Sequence, residues 1–133
     1  MRKGFTMVEL MAVLIILGLL AAVVVRNFVG QTDRARVTTT NMSLKLLHNA
    51  VSEFKMNTGR FPEDEGLTVL IVPPDDVDRW EPYLQTTELP KDAWGNDFIY
   101  ERYPESGKPF VIKSFGPDGE EGTEDDLLST DAY

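Results

Sequence analysis

The chain has 133 residues, 42% of them hydrophobic, which leaves room for one small domain beyond any membrane segment. Its formal charge of −9, with the acid gathered in the C-terminal half, argues against a phosphate-binding face and so against a nucleic-acid partner. With no cysteine, neither a disulfide framework nor thiolate metal chemistry is open to it.

The first element decides the class. Residues 10–25 read LMAVLIILGLLAAVVV, without one polar side chain. With the mostly apolar residues 5–8 the stretch reaches about 20 residues, enough to cross roughly 30 Å of hydrocarbon as a helix. The short basic segment Met1-Arg2-Lys3-Gly4 precedes it. Positive charge stays cytoplasmic, so the C-terminal part is expected to be exported. A cleaved secretory signal would want small residues after the apolar run, where Val25-Arg26-Asn27-Phe28 stands instead. An ordinary single-pass anchor accounts for the length but not for Glu9, because an ionised carboxylate in an apolar helix needs a partner. Cleavage after Gly4 would release an amine on Phe5 able to neutralise Glu9, in its own chain or in a neighbour. Such a pair sets register between helices more than it adds stability.

Gly4-Phe5-Thr6-Met7-Val8-Glu9-Leu10 resembles the G-F-T-x-x-E cleavage and methylation motif of type IV pilins and pseudopilins. The resemblance implies a prepilin peptidase that cuts after Gly4 and N-methylates Phe5, with Glu9 as the assembly residue. Pilins similar to this chain usually carry a proline just after the apolar run; Arg26 stands there here.

Val37, Leu44, Leu47, Val51 and Phe54 then recur at spacings of three, four and seven, the stripe of an amphipathic helix. Lys45, Asn49, Ser52, Glu53 and Lys55 fall largely off that stripe. Gly59 can take the left-handed conformation and Pro62 bars continuation, so the helix should stop near Asn57-Thr58-Gly59. Gly18 and Gly30 weaken it by roughly 1 kcal/mol each against alanine. Residues 59–92 read as a long connection with one short helix at 65–70, ended by Pro73-Pro74 and anchored by Trp80, Tyr83 and Leu84. Residues 96–103 and 108–115 are β-prone and bracket Pro104-Glu105-Ser106-Gly107, a hairpin signature. The expected architecture is α+β: a long N-terminal helix against a small antiparallel sheet.

Asn57-Thr58-Gly59-Arg60-Phe61-Pro62, Glu65-Gly66-Leu67 and Leu89-Pro90-Lys91-Asp92-Ala93-Trp94-Gly95-Asn96 occur in that order. With Ser114-Phe115-Gly116-Pro117-Asp118-Gly119 they resemble the blocks of the major pseudopilin (protein G) family of type II secretion systems, within the type IV pilin-like superfamily. Glu65 stands where that family commonly has glutamine, and Ala93 where it has proline. Residues 90–96 are expected to form a tight turn whose Gly95 lets the Trp94 ring cover the hairpin.

Residues 118–126 hold six carboxylates and no cation. Read alone, this is either a solvated acidic tail or a loop closed by a hard cation. Gly119 and Gly122 allow a tight fold, and Leu127-Leu128 suggests that the far end packs down. Ca²⁺ accepts six to eight oxygens in flexible geometry, although the spacing is neither an EF-hand nor a nonapeptide β-roll. The resemblance implies a Ca²⁺ site here, with the carboxylates of Asp118, Asp125 and Asp126 and the carbonyls of Phe115 and Glu120.

His48 is the only histidine and has no sequence partners for a triad, so a structural role and no catalysis are expected. By resemblance, residues 1–4 are a leader, 5–25 a transmembrane polymerisation helix and 26–133 a periplasmic head. The chain would wait in the inner membrane and add to a homopolymeric pseudopilus that drives folded proteins through the outer membrane. Minor pseudopilins and an inner-membrane assembly platform with its ATPase are the implied partners. The alternatives are a surface type IV pilus subunit and a membrane-tethered calcium-binding module.

Overall fold

The computed structural model describes residues 4–102 and 107–131, and of Val29 the backbone alone. The leader residues Met1, Arg2 and Lys3, the hairpin residues Pro104, Glu105 and Ser106, and Tyr103 lie outside the described residues. The chain divides into two compact units, residues 1–35 and 36–133. A single helix, α1 (Met7–Thr58), supplies the first unit and the opening element of the second.

In the first unit the described apolar side chains are exposed. Leu14, Ile15, Leu17, Leu20 and Val25 are each more than half exposed. By length and composition this stretch can cross a membrane. The helix runs unbroken through Gly18, Arg26 and Gly30, since no residue in it lacks a backbone N–H.

The second unit owes its core to the amphipathic stripe. Leu44, Leu47, Val51 and Phe54 are fully buried, joined by Ala50, and the cluster takes in Leu67, Leu70, Leu84, Phe98, Phe110 and Ile112. Each such leucine, isoleucine or phenylalanine contributes about 1.5–3 kcal/mol by leaving water. Val37, expected on the same stripe, is only half-buried. Gly59, at φ 81°, ends the helix, its N–H donating to the Lys55 carbonyl at 2.9 Å.

The connection is anchored as its aromatic residues imply. Gly66–Leu70 forms a 3₁₀ helix that buries Leu67, Val69 and Leu70. Trp80 Nε1 donates to the Val69 carbonyl at 2.7 Å, and the Tyr83 ring meets Phe54 edge-on at 5.5 Å. Arg60 grips Asp76 with two hydrogen bonds, of 2.8 and 2.7 Å, and reaches Glu65 at 3.0 Å. Glu65 thus completes an ion cluster with Arg60 and Asp76. The Arg60 guanidinium holds the Asp76 carboxyl below the usual carboxylate range.

Three antiparallel strands, β1 (Ile99–Arg102), β2 (Phe110–Ser114) and β3 (Leu127–Leu128), lie in that order, with β2 central. Phe110 and Ile112 point into the core cluster, as the two-residue period requires. The hairpin is where its sequence places it, but β1 starts later than expected. Asn96 and Asp97 belong instead to the turn before it, through the Lys91–Asp97 bridge. Trp94 is half-buried, yet the tryptophan packed against the core cluster is Trp80. A long N-terminal helix on a small antiparallel sheet is the α+β architecture read from the sequence.

Candidate functional site

Two regions single themselves out by chemistry: the start of α1 and the acidic loop. At the start of α1, Glu9 N donates to Thr6 Oγ1 at 3.2 Å, and Thr6 N donates to Glu9 Oε2 at 3.2 Å. This is a reciprocal capping box, in which two otherwise orphaned helix N–H groups find acceptors. The Thr-x-x-Glu spacing is its sequence signature, a reading that attention to the carboxylate's charge alone passes over. The acid also sits favourably against the positive end of the helix dipole. Gly4 and Phe5 precede the helix, exposed, with Phe5 91% accessible.

The acidic loop leaves the end of β2 and returns as β3. Gly116, at φ 69°, begins it, and a Cβ there would come within 2.3 Å of the Asp125 carbonyl oxygen. The two ends of the loop therefore touch. Asp118 Oδ1 accepts from Glu120 N at 2.9 Å, and Asp126 Oδ2 accepts from Gly122 N at 2.8 Å. Thr123 Oγ1 lies 3.2 Å from both the Glu120 carbonyl oxygen and Asp126 Oδ1. Bonds from Glu120 N–H first, then from the Thr123 hydroxyl, hold the Asp118 carboxyl below its usual range, with the Asp125 side chain alongside.

Asp118, Asp126 and the Glu120 carbonyl thus converge on one hydroxyl, while Phe115 is half-buried at the loop's entrance. Among the described residues no three acidic side chains are gathered so as to enclose a metal ion. The donors are all hard oxygens on a glycine-hinged loop, so their chemistry fits Ca²⁺ and not a thiophilic metal.

A third feature is the network that holds the expected 90–96 turn, which spacing alone does not reveal. Asp92 is 5% exposed, and its Oδ1 accepts from Trp94 N at 3.1 Å and Asn96 N at 2.8 Å. Its Oδ2 accepts from the buried Ser114 hydroxyl at 2.7 Å. The neighbouring Ala93 N donates to Thr40 Oγ1 on α1 at 3.2 Å. A single carboxylate thereby ties the 90–96 turn to β2 at the mouth of the acidic loop.

Ser129 does similar work beyond β3. It exchanges two hydrogen bonds with Ile112, N to O at 2.8 Å and N to Oγ at 3.0 Å. The same Oγ lies 3.3 Å from His48 Nδ1, and the imidazole packs on Phe110 with ring centres 4.7 Å apart. Burial pushes the His48 pKa down, favouring the neutral ring.

Known proteins are similar to this chain in sequence and fold. The family model described as type II secretion system protein G matches residues 27–130, and that of the prokaryotic N-terminal methylation motif matches residues 1–25. The chain is 36% identical over 134 residues to the type II secretion system core protein G of Escherichia coli K12, covering 96% of this chain and 90% of that one. It is 37% identical over 131 residues to the core protein G of Vibrio cholerae, covering 93% and 88%. Against the Pseudomonas aeruginosa core protein G it is 34% identical over 128 residues, covering 93% and 89%. The crystal structure of the major pseudopilin from the type 2 secretion system of enterohaemorrhagic Escherichia coli superposes with a TM-score of 0.62 at 26% identity, over 77% of this chain and 92% of that one. Matched by that family model over residues 27–130 and by these relatives over most of its residues, the chain belongs to the protein G family of type II secretion systems.

Proposed function

We propose that the chain is a structural subunit of a pseudopilus, polymerising through its N-terminal helix to drive folded proteins across the outer membrane. The observation that carries this is the exposed apolar run of α1 with one acid, Glu9, at its head, in a chain of the protein G family. Such a surface can be covered by lipid before assembly and by neighbouring helices after it. The surface-pilus and tethered-module alternatives lose ground to matches that name type II secretion along nearly the whole chain. Its work is mechanical rather than catalytic. It stands in the inner membrane with residues 26–133 in the periplasm. Minor pseudopilins and an assembly platform with its ATPase act on it there.

Prepilin peptidase cleaves after Gly4 and methylates Phe5. The new amine lies one residue from the Thr6 N–H that already holds Glu9, so the carboxylate is placed for it or for the amine of a neighbour. The mature chain is expected to begin at N-methylated Phe5 by intact-mass spectrometry; a mature mass retaining Met1 in peptidase-positive cells would overturn the processing. Cysteines placed on the apolar helix test polymerisation itself, giving ladders of multimers if it occurs and monomers if the helix is only a tether.

Ca²⁺ in the loop would be held by the carboxylates of Asp118, Asp125 and Asp126 and the carbonyls of Phe115 and Glu120. The ion would supply charge neutralisation to a segment of six acids. It would also stabilise the folded state by linkage, by about 2.7 kcal/mol at a hundred-fold excess over its dissociation constant. Thermal unfolding with and without chelator checks this. Asp118→Ala should lower the melting temperature only when calcium is present. Equal loss in chelator would show that Asp118 acts through its bonds to Glu120 N–H and the Thr123 hydroxyl and not through an ion.

A further inference from the structure

Beside His48 and Phe110 the second unit carries a groove of about 480 Å³, whose lining includes Met56, Phe61, Lys55 and Lys108. In a chain of net charge −9 this is an unusually basic place. Lys55 Nζ stands 5.6 Å from the centre of the Phe61 ring, and the Arg102 guanidinium stacks on the same ring at 4.5 Å. Neither lysine is in an ion pair among the described residues. The two lysines thus stand beside apolar side chains with no ion pair among the described residues.

From this we infer that the groove receives the acidic loop of a second copy, making a head-to-tail contact between successive subunits. The inference rests on the polymerisation proposed above. The groove opens where β2 begins, at Lys108 and Phe110, whereas the acidic loop leaves where β2 ends, after Ser114. Four residue steps of strand separate those ends by about 13 Å. A subunit therefore presents its basic groove and its acidic loop at opposite ends of one sheet. Glu120 and Glu124 are exposed at the loop, and Glu121 reaches Lys113 only at 3.8 Å.

Electrostatics selects the pairing. Groove against groove would oppose lysines, and loop against loop would oppose carboxylates; only loop against groove joins unlike charges. A contact between two different patches is heterologous and propagates, whereas a self-complementary patch closes at a dimer. The occupant is accordingly a copy of this chain and the product is a filament. Asp118 and Asp126 are engaged within the loop by Glu120 N–H, Gly122 N–H and the Thr123 hydroxyl, which leaves the exposed glutamates for the neighbour.

The chain has no cysteine of its own, so disulfide trapping reads the contact without background. The full-length double variant Lys108→Cys with Glu124→Cys, oxidised in cells that assemble the filament, should give a ladder of multimers. A pair on the apolar helix, Leu14→Cys with Leu20→Cys, reports polymerisation separately. A helix ladder without a groove–loop ladder would overturn the contact and leave the filament standing. Dimers from Lys108→Cys alone, as abundant as those of the pair, would overturn it in favour of a symmetric contact. Absence of both ladders would remove the filament and this contact together. In the helix-reporter background, Lys55→Glu with Lys108→Glu should reduce multimers on the order of tenfold, and adding Glu120→Lys with Glu124→Lys should restore them.

Discussion

Replacing Glu9 with leucine is expected to abolish the multimer ladder while leaving the subunit in the membrane. Two losses follow from that change, and they differ in size. The capping box disappears, which costs the helix about 1 kcal/mol. In an assembled bundle the amine of mature Phe5 would also be left buried without its counter-charge, a cost of about 3–5 kcal/mol. The second term dominates, so multimers should fall by at least about 100-fold at equal expression. Glu9→Gln separates the two. Glutamine keeps the reciprocal bond to Thr6 N, since either side chain serves at that position of a capping box. It has no charge to offer an amine. Cross-linking should therefore fail for both variants, and a normal ladder from Glu9→Gln would show that capping, not charge pairing, is what assembly requires.

The other large effect is expected at Asp92. Its carboxylate accepts from two backbone N–H groups and one hydroxyl at 5% exposure, so Asp92→Ala strands three donors at once. Hydrogen bonds to a charged group contribute about 1.5–3 kcal/mol each, and partial rehydration recovers some of that. A net loss of about 3–5 kcal/mol is expected, or roughly 15–30 °C in the melting temperature of a unit this size. Asp92→Asn retains one acceptor oxygen and should lose about half as much. Circular-dichroism melts of the full chain in detergent measure both, and a loss below about 1 kcal/mol for Asp92→Ala would show the network to be dispensable.

The contrast between these two residues shows what can be read from order alone. Glu9 is conspicuous because its neighbours are all apolar, so its oddity is local. The same holds for the stripe through Leu44, Leu47, Val51 and Phe54, whose spacing is that of a helix face, and for the hairpin, whose two β-prone runs flank a Pro-Gly turn. Asp92 has no such context. Its partner Ser114 is 22 positions away, and the Thr40 hydroxyl that steadies the same turn is 53 positions from Ala93. Both are small polar residues that resemble surface in a string. β3 is also too short for any periodicity, and only its pairing with Lys113 and Ser114 makes it a strand. The oxygen-rich character of the acidic loop was legible from composition. The convergence of Asp118, Asp126 and the Glu120 carbonyl on Thr123 was not, because it depends on where the glycines turn the backbone.

Those two residues of β3 act as a clasp. With Ser129 hooked to Ile112 just beyond them, the chain between β2 and β3 is already tied into a ring before anything enters it. An ion held among its oxygens would find the ends joined, the entropy of closing the loop having been met by the sheet. The grip of the ring is thus fastened from the far side of the molecule's smallest strand.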